Sequence, residues 1–81
     1  MKVSSLVGTN LKALRTERKM TLKDVSRLTG LSCGYLSLLE RGQSLVALDT
    51  LEHIAVCFNV DISFFFIHSA GSSSPVIYRR Y

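Results

Sequence analysis

The stretch Thr21–Gly42, TLKDVSRLTGLSCGYLSLLERG, has the start and stop signals of two short helices joined by a tight turn. Thr21 offers a hydroxyl cap to the first helix, and Asp24 three residues later favours its positive start. Gly30 accepts the left-handed conformation in which many helices end, and Ser32 offers the second cap. These signals predict helices from about Leu22 to Thr29 and from Ser32 to about Arg41, with Leu31 packed in the turn.

Apolar residues at helical spacing predict three more helices around this pair. They span Leu6–Lys19, about Leu48 to Phe58, and Ile62–His68 with Asp61 as its cap. The predicted fold class is all-α, a compact five-helix domain over residues 1–68, followed by a linker at 69–75 and an extended, β-prone tail at 76–81. The predicted apolar faces contain Val7, Leu11, Leu14, Leu22, Val25, Leu36, Leu39, Leu48, Leu51, Ile54, Ala55 and Phe58.

The composition suits a single small domain with a polyanionic partner. The 81 residues are 47% apolar, which is enough for one core. Lys and Arg outnumber Asp and Glu by 10 to 6, and the net charge of +4 favours nucleic acid, with a membrane surface as the alternative. The most apolar stretch, Ile62–Ile67, is far shorter than the ~20 residues of a membrane-spanning helix. Because the N-terminus, MKVSS, lacks the apolar region of a signal peptide, we expect a cytoplasmic protein.

Residues that commonly bind metals or perform catalysis form no recognisable pattern here. Cys33 and Cys57 make no CxxC pair, and His53 and His68 lack metal-ligand spacing. With no nucleophile–base pairing and no glycine-rich phosphate loop, the sequence predicts free thiols, no metal, no cofactor and no enzymatic activity. The position of Cys33 near a helix start raises the alternative of a redox-sensitive thiol, although a small residue tolerated at a DNA surface is the simpler interpretation.

Two short capped helices around Gly30-Leu31-Ser32 form the pattern of a helix-turn-helix. In that motif the first helix lies across the DNA backbone, so that the second, the recognition helix, places its N-terminal residues in the major groove. The pattern alone is only moderately specific, because any helical hairpin with a glycine turn shares it.

The residues around this turn also resemble the lambda-repressor-like (XRE) family of helix-turn-helix domains. The resemblance rests on Thr21–Ser32, Tyr35–Ser37 and Leu39–Gly42, covers roughly Val7–Phe66, and continues at Leu51, Ile54, Ala55, Val60 and Phe65. It implies a transcriptional regulator, such as a repressor, that binds double-stranded DNA at an operator, usually as a homodimer. The linker and arginine-ended tail are similar to the subgroup with a C-terminal cupin domain, which implies an additional sensor domain absent from this chain.

The resemblance implies roles for individual residues. Arg15 of the first helix and Glu40 of the recognition helix are expected to form an ion pair, and Arg15 either only stabilises the fold or also binds a phosphate. The expected phosphate contacts are Thr21, Leu22, Lys23, Tyr35, Arg41 and Gln43, whereas Arg27 is expected to be a surface residue. If Leu36 and Leu39 face the core, the residues left to contact bases are Ser32, Cys33, Gly34, Ser37 and Leu38.

This base-contacting set lacks the Gln, Arg and Asn side chains that are frequent in the family and that make paired hydrogen bonds to bases. Cys33 and Leu38 offer apolar contact to thymine methyl groups instead, and Gly34 lets the helix backbone approach closely. We therefore expect modest direct discrimination between sequences, with DNA shape and dimer spacing contributing more.

The run Phe64–Ile67 cannot be buried completely on one helix, because consecutive residues point about 100° apart. The family resemblance implies that Phe64, Phe66 and Ile67 form a dimer interface. The alternative is that the C-terminal tail folds back and covers them.

Two departures from the family pattern predict weaker helix caps. Lys19 stands where glycine or asparagine usually ends the first helix, and Val46-Ala47 replace a frequent proline and serine before the fourth. Each is expected to cost ~0.5–2 kcal/mol at most without changing the fold.

Two other classes of function stay open at this point. A protein-interaction module, such as an antitoxin that holds a toxin, is expected to carry a longer tail than the six residues after Pro75. A small hydrolase is disfavoured by the lack of any catalytic constellation.

Overall fold

Residues 2–67 are described by a computed structural model, and they form four α-helices and one 3₁₀ helix. In chain order these are α1 (Val3–Glu17), α2 (Leu22–Thr29), α3 (Cys33–Glu40), α4 (Leu48–Phe58) and the 3₁₀ helix (Ile62–Phe66). No strand occurs in this part of the chain, in agreement with the predicted all-helical class. None of these helices has both the length and the apolar character needed to cross a membrane. His68, the predicted linker and the predicted tail lie outside the described residues.

The caps predicted for the central pair of helices are confirmed. The Thr21 hydroxyl accepts a hydrogen bond from the Asp24 amide at 3.0 Å, and the Asp24 carboxylate accepts one from the Thr21 amide at 2.8 Å. This reciprocal pair is a capping box. Gly30 ends α2 with φ of +80°, and the Ser32 hydroxyl accepts from the Tyr35 amide at 3.1 Å to start α3.

The N-terminal helix is shifted relative to its predicted span. It begins at Val3 rather than Leu6, because the Leu6 amide already donates to the Lys2 carbonyl at 3.0 Å. It ends at Glu17 rather than Lys19, since Lys19 has φ of +57° and cannot continue a right-handed helix. Lys19 thus occupies the conformation for which glycine or asparagine is preferred, which agrees with the weak cap expected from the sequence.

The hydrophobic core lies where the four α-helices and the 3₁₀ helix meet. The predicted inward positions are buried, except for Leu22, which is partly buried against the core, and Leu48, which is 68% exposed. Leu48 is the first residue of α4, so the fourth helix begins where the sequence predicts. The buried core consists of Val7, Leu11, Leu14, Val25, Leu36, Leu39, Leu51, Ile54, Ala55, Phe58 and Phe65.

Gly8 allows the backbones of α1 and α3 to come into direct contact. A β-carbon at this position would collide with the Leu39 carbonyl oxygen and would lie 2.8 Å from the Glu40 carbonyl oxygen. Helix axes can approach this closely only where a side chain is missing, and the approach fixes where the C-terminal end of α3 sits. The neighbouring Gly42, with φ of +69°, packs in the same way against Ser5 at the start of α1.

The prediction of a fifth α-helix over Ile62–His68 was wrong. The segment forms a 3₁₀ helix that ends at Phe66, and Ile67 is already extended. Asn10, which is buried in α1, donates its side-chain amide to the carbonyls of Phe65 at 2.8 Å and Ile67 at 2.9 Å. Because these carbonyls are bound from outside the segment, the short helix needs no further α-helical turn to satisfy them.

Candidate nucleic-acid interface

One long side of α3 faces solvent and the other faces the core. Leu36 and Leu39 are buried, as the sequence predicts. Ser32, Cys33 and Gly34 are exposed, whereas Ser37 is half-buried beside the exposed Leu38. All five residues predicted to contact bases therefore lie on a surface that no described part of the protein covers completely.

The outer side of α3 is open to solvent near its beginning, at Gly34. A β-carbon built on Gly34 would meet nothing within 4 Å. Cys33 is an exposed free thiol, and the Ser32 hydroxyl, which accepts from the Tyr35 amide, keeps its own hydrogen for donation. This end of the helix can therefore approach another surface closely without any rearrangement of the protein.

The starts of α2 and α3 also present unused backbone donors. The caps use the amides of Thr21, Asp24 and Tyr35. Within residues 2–67, no acceptor bonds to the amides of Leu22, Lys23, Cys33 and Gly34. Free N–H groups at the positive end of a helix suit phosphate oxygens.

The side chains predicted to contact phosphates differ in how accessible they are. Lys23 is exposed on α2, and Gln43 is exposed just beyond α3. The exposed Arg41 donates from its Nε to the Ser37 carbonyl at 3.3 Å, which holds the guanidinium against the end of α3. Tyr35 is half-buried and packs against the core. Three of these four residues, Tyr35, Arg41 and Gln43, lie in α3 or directly after it.

The charge of this surface is positive because Lys23 and Arg41 add to two carboxylates, Asp24 and Glu40, that each have an arginine beside them. Asp24 belongs to the capping box, and its hydrogen bonds from Thr21 lower the pKa of the Asp24 carboxyl below its ordinary value. Arg27 lies 3.8 Å from Asp24, with 73% of its side chain exposed, so this pair is screened by water. The charges of Lys23 and Arg41 have no carboxylate partner among the described residues.

Arg15 and Glu40 form the strongest polar link between α1 and α3. The Arg15 Nε and one terminal nitrogen donate to the two carboxylate oxygens of Glu40 at 2.7 Å and 3.1 Å, and the other terminal nitrogen donates to the Met20 carbonyl at 3.0 Å. The Arg15 and Glu40 side chains are 15% and 7% exposed, and hydrogen bonding to Glu40 raises the pKa of the Arg15 guanidinium. Two of the five guanidinium N–H groups are not used by these bonds.

The aromatic run at the end of the described chain is divided between core and surface. Phe65 is fully buried and meets the half-buried Phe64 edge to face, with ring centroids 5.5 Å apart. Phe66 and Ile67 are 40% and 53% exposed. The expectation that one helix face cannot bury the whole run is confirmed.

Three structural roles were missed by the sequence reasoning. A glycine on the apolar side of α1, one turn before Leu11, was the available signal for the close contact made at Gly8. Nothing in the sequence marks Asn10 as the residue that binds the 3₁₀ helix. The sequence assigns no role to His53 beyond excluding a metal site, yet its Nε2 lies 2.7 Å from the Thr29 carbonyl oxygen at the end of α2.

A family model described as helix-turn-helix (HTH_3) matches residues 11–65, which contain the whole of α2 and α3 and both partners of the ion pair. The chain belongs to this helix-turn-helix family. The family expected from TGLS, YLS and ERG is thus confirmed, and the resemblance to the cupin-bearing subgroup stays a prediction.

Several helix-turn-helix proteins are similar to this chain. The immunity repressor protein of Bacillus phage phi105 is 37% identical over 57 residues, covering 70% of this chain and 40% of the repressor. The HTH-type transcriptional regulator SutR of Escherichia coli is 34% identical over 76 residues, covering 94% of this chain and 42% of SutR. The crystal structure of an HTH_3 family transcriptional regulator from Vibrio cholerae matches with a TM-score of 0.74 and 36% identity, covering 78% of this chain and 35% of that one. Each match therefore covers less than half the length of the relative.

Proposed function

We propose that this domain binds duplex DNA with α3 in the major groove and regulates transcription from an operator. The single observation that carries the proposal is that α3 presents an uncovered face while its C-terminal end is fixed to α1. A helix that reads DNA bases must be both accessible and rigidly placed. The relatives described as a repressor and as transcriptional regulators support the same function.

The proposed contacts fall into two groups. Bases are contacted by the uncovered face of α3, where apolar and small groups meet thymine methyls and the groove floor. Phosphates are contacted by the helix starts and by the cations beside them, which fix the register of the domain on the duplex. The base-contacting group is Ser32, Cys33, Gly34, Ser37 and Leu38, and the phosphate-contacting group is Thr21, Leu22, Lys23, Tyr35, Arg41 and Gln43.

The domain is proposed to act as a homodimer through the exposed end of the 3₁₀ helix. Phe66 and Ile67 are large apolar side chains left in contact with solvent, and Phe64 lies partly buried beside them. Two half-sites one helical turn apart would then double the contact with DNA. Sedimentation of wild type against Ile67→Ser tests this: a dimer that persists unchanged in the variant contradicts the proposed interface.

The experiment that tests DNA binding is selection of bound duplexes from a random-sequence library, followed by titration of the best duplex across a salt series. Binding should weaken steeply with salt, because phosphate-bound cations are released. Arg41→Ala should weaken binding to every sequence and reduce the salt slope by about one, whereas Leu38→Gln should change which sequence is preferred.

The matched control for Arg41→Ala is Arg27→Ala, which removes the same charge from the exposed side of α2. We expect the DNA affinity of the control to change little beyond its long-range electrostatic effect. Affinity that does not depend on salt, or no sequence recovered by selection, would refute the proposed function. Equal effects of Arg41→Ala and Leu38→Gln on all sequences would show that α3 is not the helix that reads the bases.

A further inference from the structure

The last residue of α2, Thr29, has nearly all of its hydrogen-bonding groups engaged inside the protein. Its hydroxyl donates to the Val25 carbonyl at 2.8 Å and accepts from the Leu31 amide at 3.2 Å. The residue is 7% exposed. Its carbonyl oxygen is one of the last four in the helix, and these oxygens receive no hydrogen bond from an amide of the same helix. Such a group takes a hydrogen bond from a side chain of another element or from water.

That donor is His53 of α4. Its Nε2 lies 2.7 Å from the Thr29 carbonyl oxygen, across 24 positions of sequence. A carbonyl oxygen only accepts, so Nε2 must carry the hydrogen, which defines the tautomer of the neutral ring. Protonated imidazole would donate the same bond. The Cys57 sulfur lies 3.7 Å from the same nitrogen, a distance at which it is at most a weak second partner.

This hydrogen bond lies at the end of α2, away from the contacts that fix the C-terminal end of α3. The C-terminal end of α3 is fixed to α1 through Gly8 and through the Arg15–Glu40 pair. The N-terminal end follows directly from the turn, in which Leu31 packs against the core and Gly30 has no side chain to pack. The Thr29 carbonyl is thus the last backbone group before the turn that another helix holds.

We infer that His53 is a positioning residue for DNA recognition. By binding the Thr29 carbonyl from α4, it fixes the entry of the chain into the turn and so the place of Ser32, Cys33 and Gly34 against the bases. It makes no hydrogen bond to these three residues and is not one of the proposed DNA contacts. The inference rests on the proposed function and adds a residue that sets the geometry of the same site.

The test compares His53→Leu with His53→Gln, whose side-chain amide can replace Nε2–H as the donor. Binding to a duplex recovered from the random library is measured at a temperature where thermal denaturation shows every variant fully folded. His53→Leu should weaken binding by up to about fivefold, because the loosened turn must then be ordered on binding and that cost cannot exceed the usual contribution of the lost hydrogen bond, and His53→Gln should restore most of the loss. Cys57→Ala, which removes the other neighbour of Nε2, is the matched control and should bind as wild type does.

A second readout is the nitrogen NMR spectrum of the imidazole rings together with the backbone amide signals. Hydrogen on Nε2 of His53, and shifted Leu31 and Ser32 amides in His53→Leu but not in Cys57→Ala, support the inference whether or not DNA binds. Unchanged affinity in fully folded His53→Leu, or hydrogen on Nδ1 alone, overturns it. If wild type binds no duplex at all, the proposed function fails, and the amide signals alone decide whether His53 positions the turn.

Discussion

The two ends of α3 are built in opposite ways. At the C-terminal end, the Leu39 and Glu40 carbonyls press against Gly8, and the Glu40 side chain is held by Arg15. At the N-terminal end, the helix is capped by Ser32 alone, and the space around Gly34 is empty. The C-terminal end of α3 thus anchors the helix to α1, while its N-terminal end is left free for contact with a partner.

This difference shows how a small domain can present a rigid reading surface. Eight residues of helix are too few to be stable alone, so α3 depends on tertiary contacts for its order. Those contacts are made by its buried side, through Leu36 and Leu39, and by its C-terminal end. The N-terminal residues are therefore held in place without being covered.

The largest effect is expected at Gly8, where α1 and α3 touch. In Gly8→Ala, the new methyl group meets backbone carbonyls that cannot move aside as a flexible side chain would. We expect a loss of at least ~3 kcal/mol in the free energy of unfolding. Chemical denaturation monitored by circular dichroism measures this change.

Gly34→Ala is the matched control, because its methyl group enters empty space in an α-helix. It should stabilise the fold by about 0.5–1 kcal/mol. The same variant should weaken DNA binding if α3 approaches the groove floor at this point. Similar stability changes in the two variants would contradict the contrast between the ends of α3.

The next largest effect is expected at the ion pair that anchors α3. Arg15→Ala leaves the Glu40 carboxylate nearly buried without its partner and removes the bond to the Met20 carbonyl. We expect a loss of about 2–3 kcal/mol, less than for a completely buried pair since part of Arg15 meets water. Urea titration of the variant gives the value.

The control for the ion pair is Arg15→Lys, which keeps the positive charge but cannot make both bonds to Glu40. Its free energy of unfolding should lie between those of wild type and Arg15→Ala. A lysine variant as stable as wild type would show that charge alone, and not the paired geometry, holds α3 to α1.

The smallest effect is expected at acid pH, as a local loss of helix at the cap of α2. The pKa of Asp24 is lowered by its bonds from Thr21, so its contribution is complete above the pKa it has in the unfolded chain and is lost as pH falls through the lower folded value. Below about pH 4, the start of α2 should therefore fray. The cap of α3 is the Ser32 hydroxyl, which does not titrate in this range.

Amide hydrogen exchange followed from neutral to acid pH, and corrected for the intrinsic exchange rate, compares the two starts within one molecule. Protection of the Thr21 and Asp24 amides should fall relative to that of the Tyr35 amide. Asp24→Asn should abolish the pH dependence of this difference. An equal loss of protection at both starts would point to global unfolding instead of local fraying.

Local signals predicted much of the fold. The caps at Thr21 and Ser32 and the left-handed end at Gly30 act within a few residues of chain, so their chemistry can be read directly from the sequence. The 3₁₀ helix was predicted as an α-helix because its apolar spacing suits both. Its actual form is supported by bonds from Asn10, 55 and 57 positions away.

The candidate site divides along the same line. The sequence by itself determined which side of α3 is apolar, and therefore which residues are left for solvent, since helical periodicity alone sets that division. Only the tertiary structure decided how α3 is held: by the missing side chain at Gly8, by the buried bonds of Asn10 and by the imidazole of His53. Each of these depends on atoms from distant segments meeting at a specific distance, and no local pattern of residues encodes that distance.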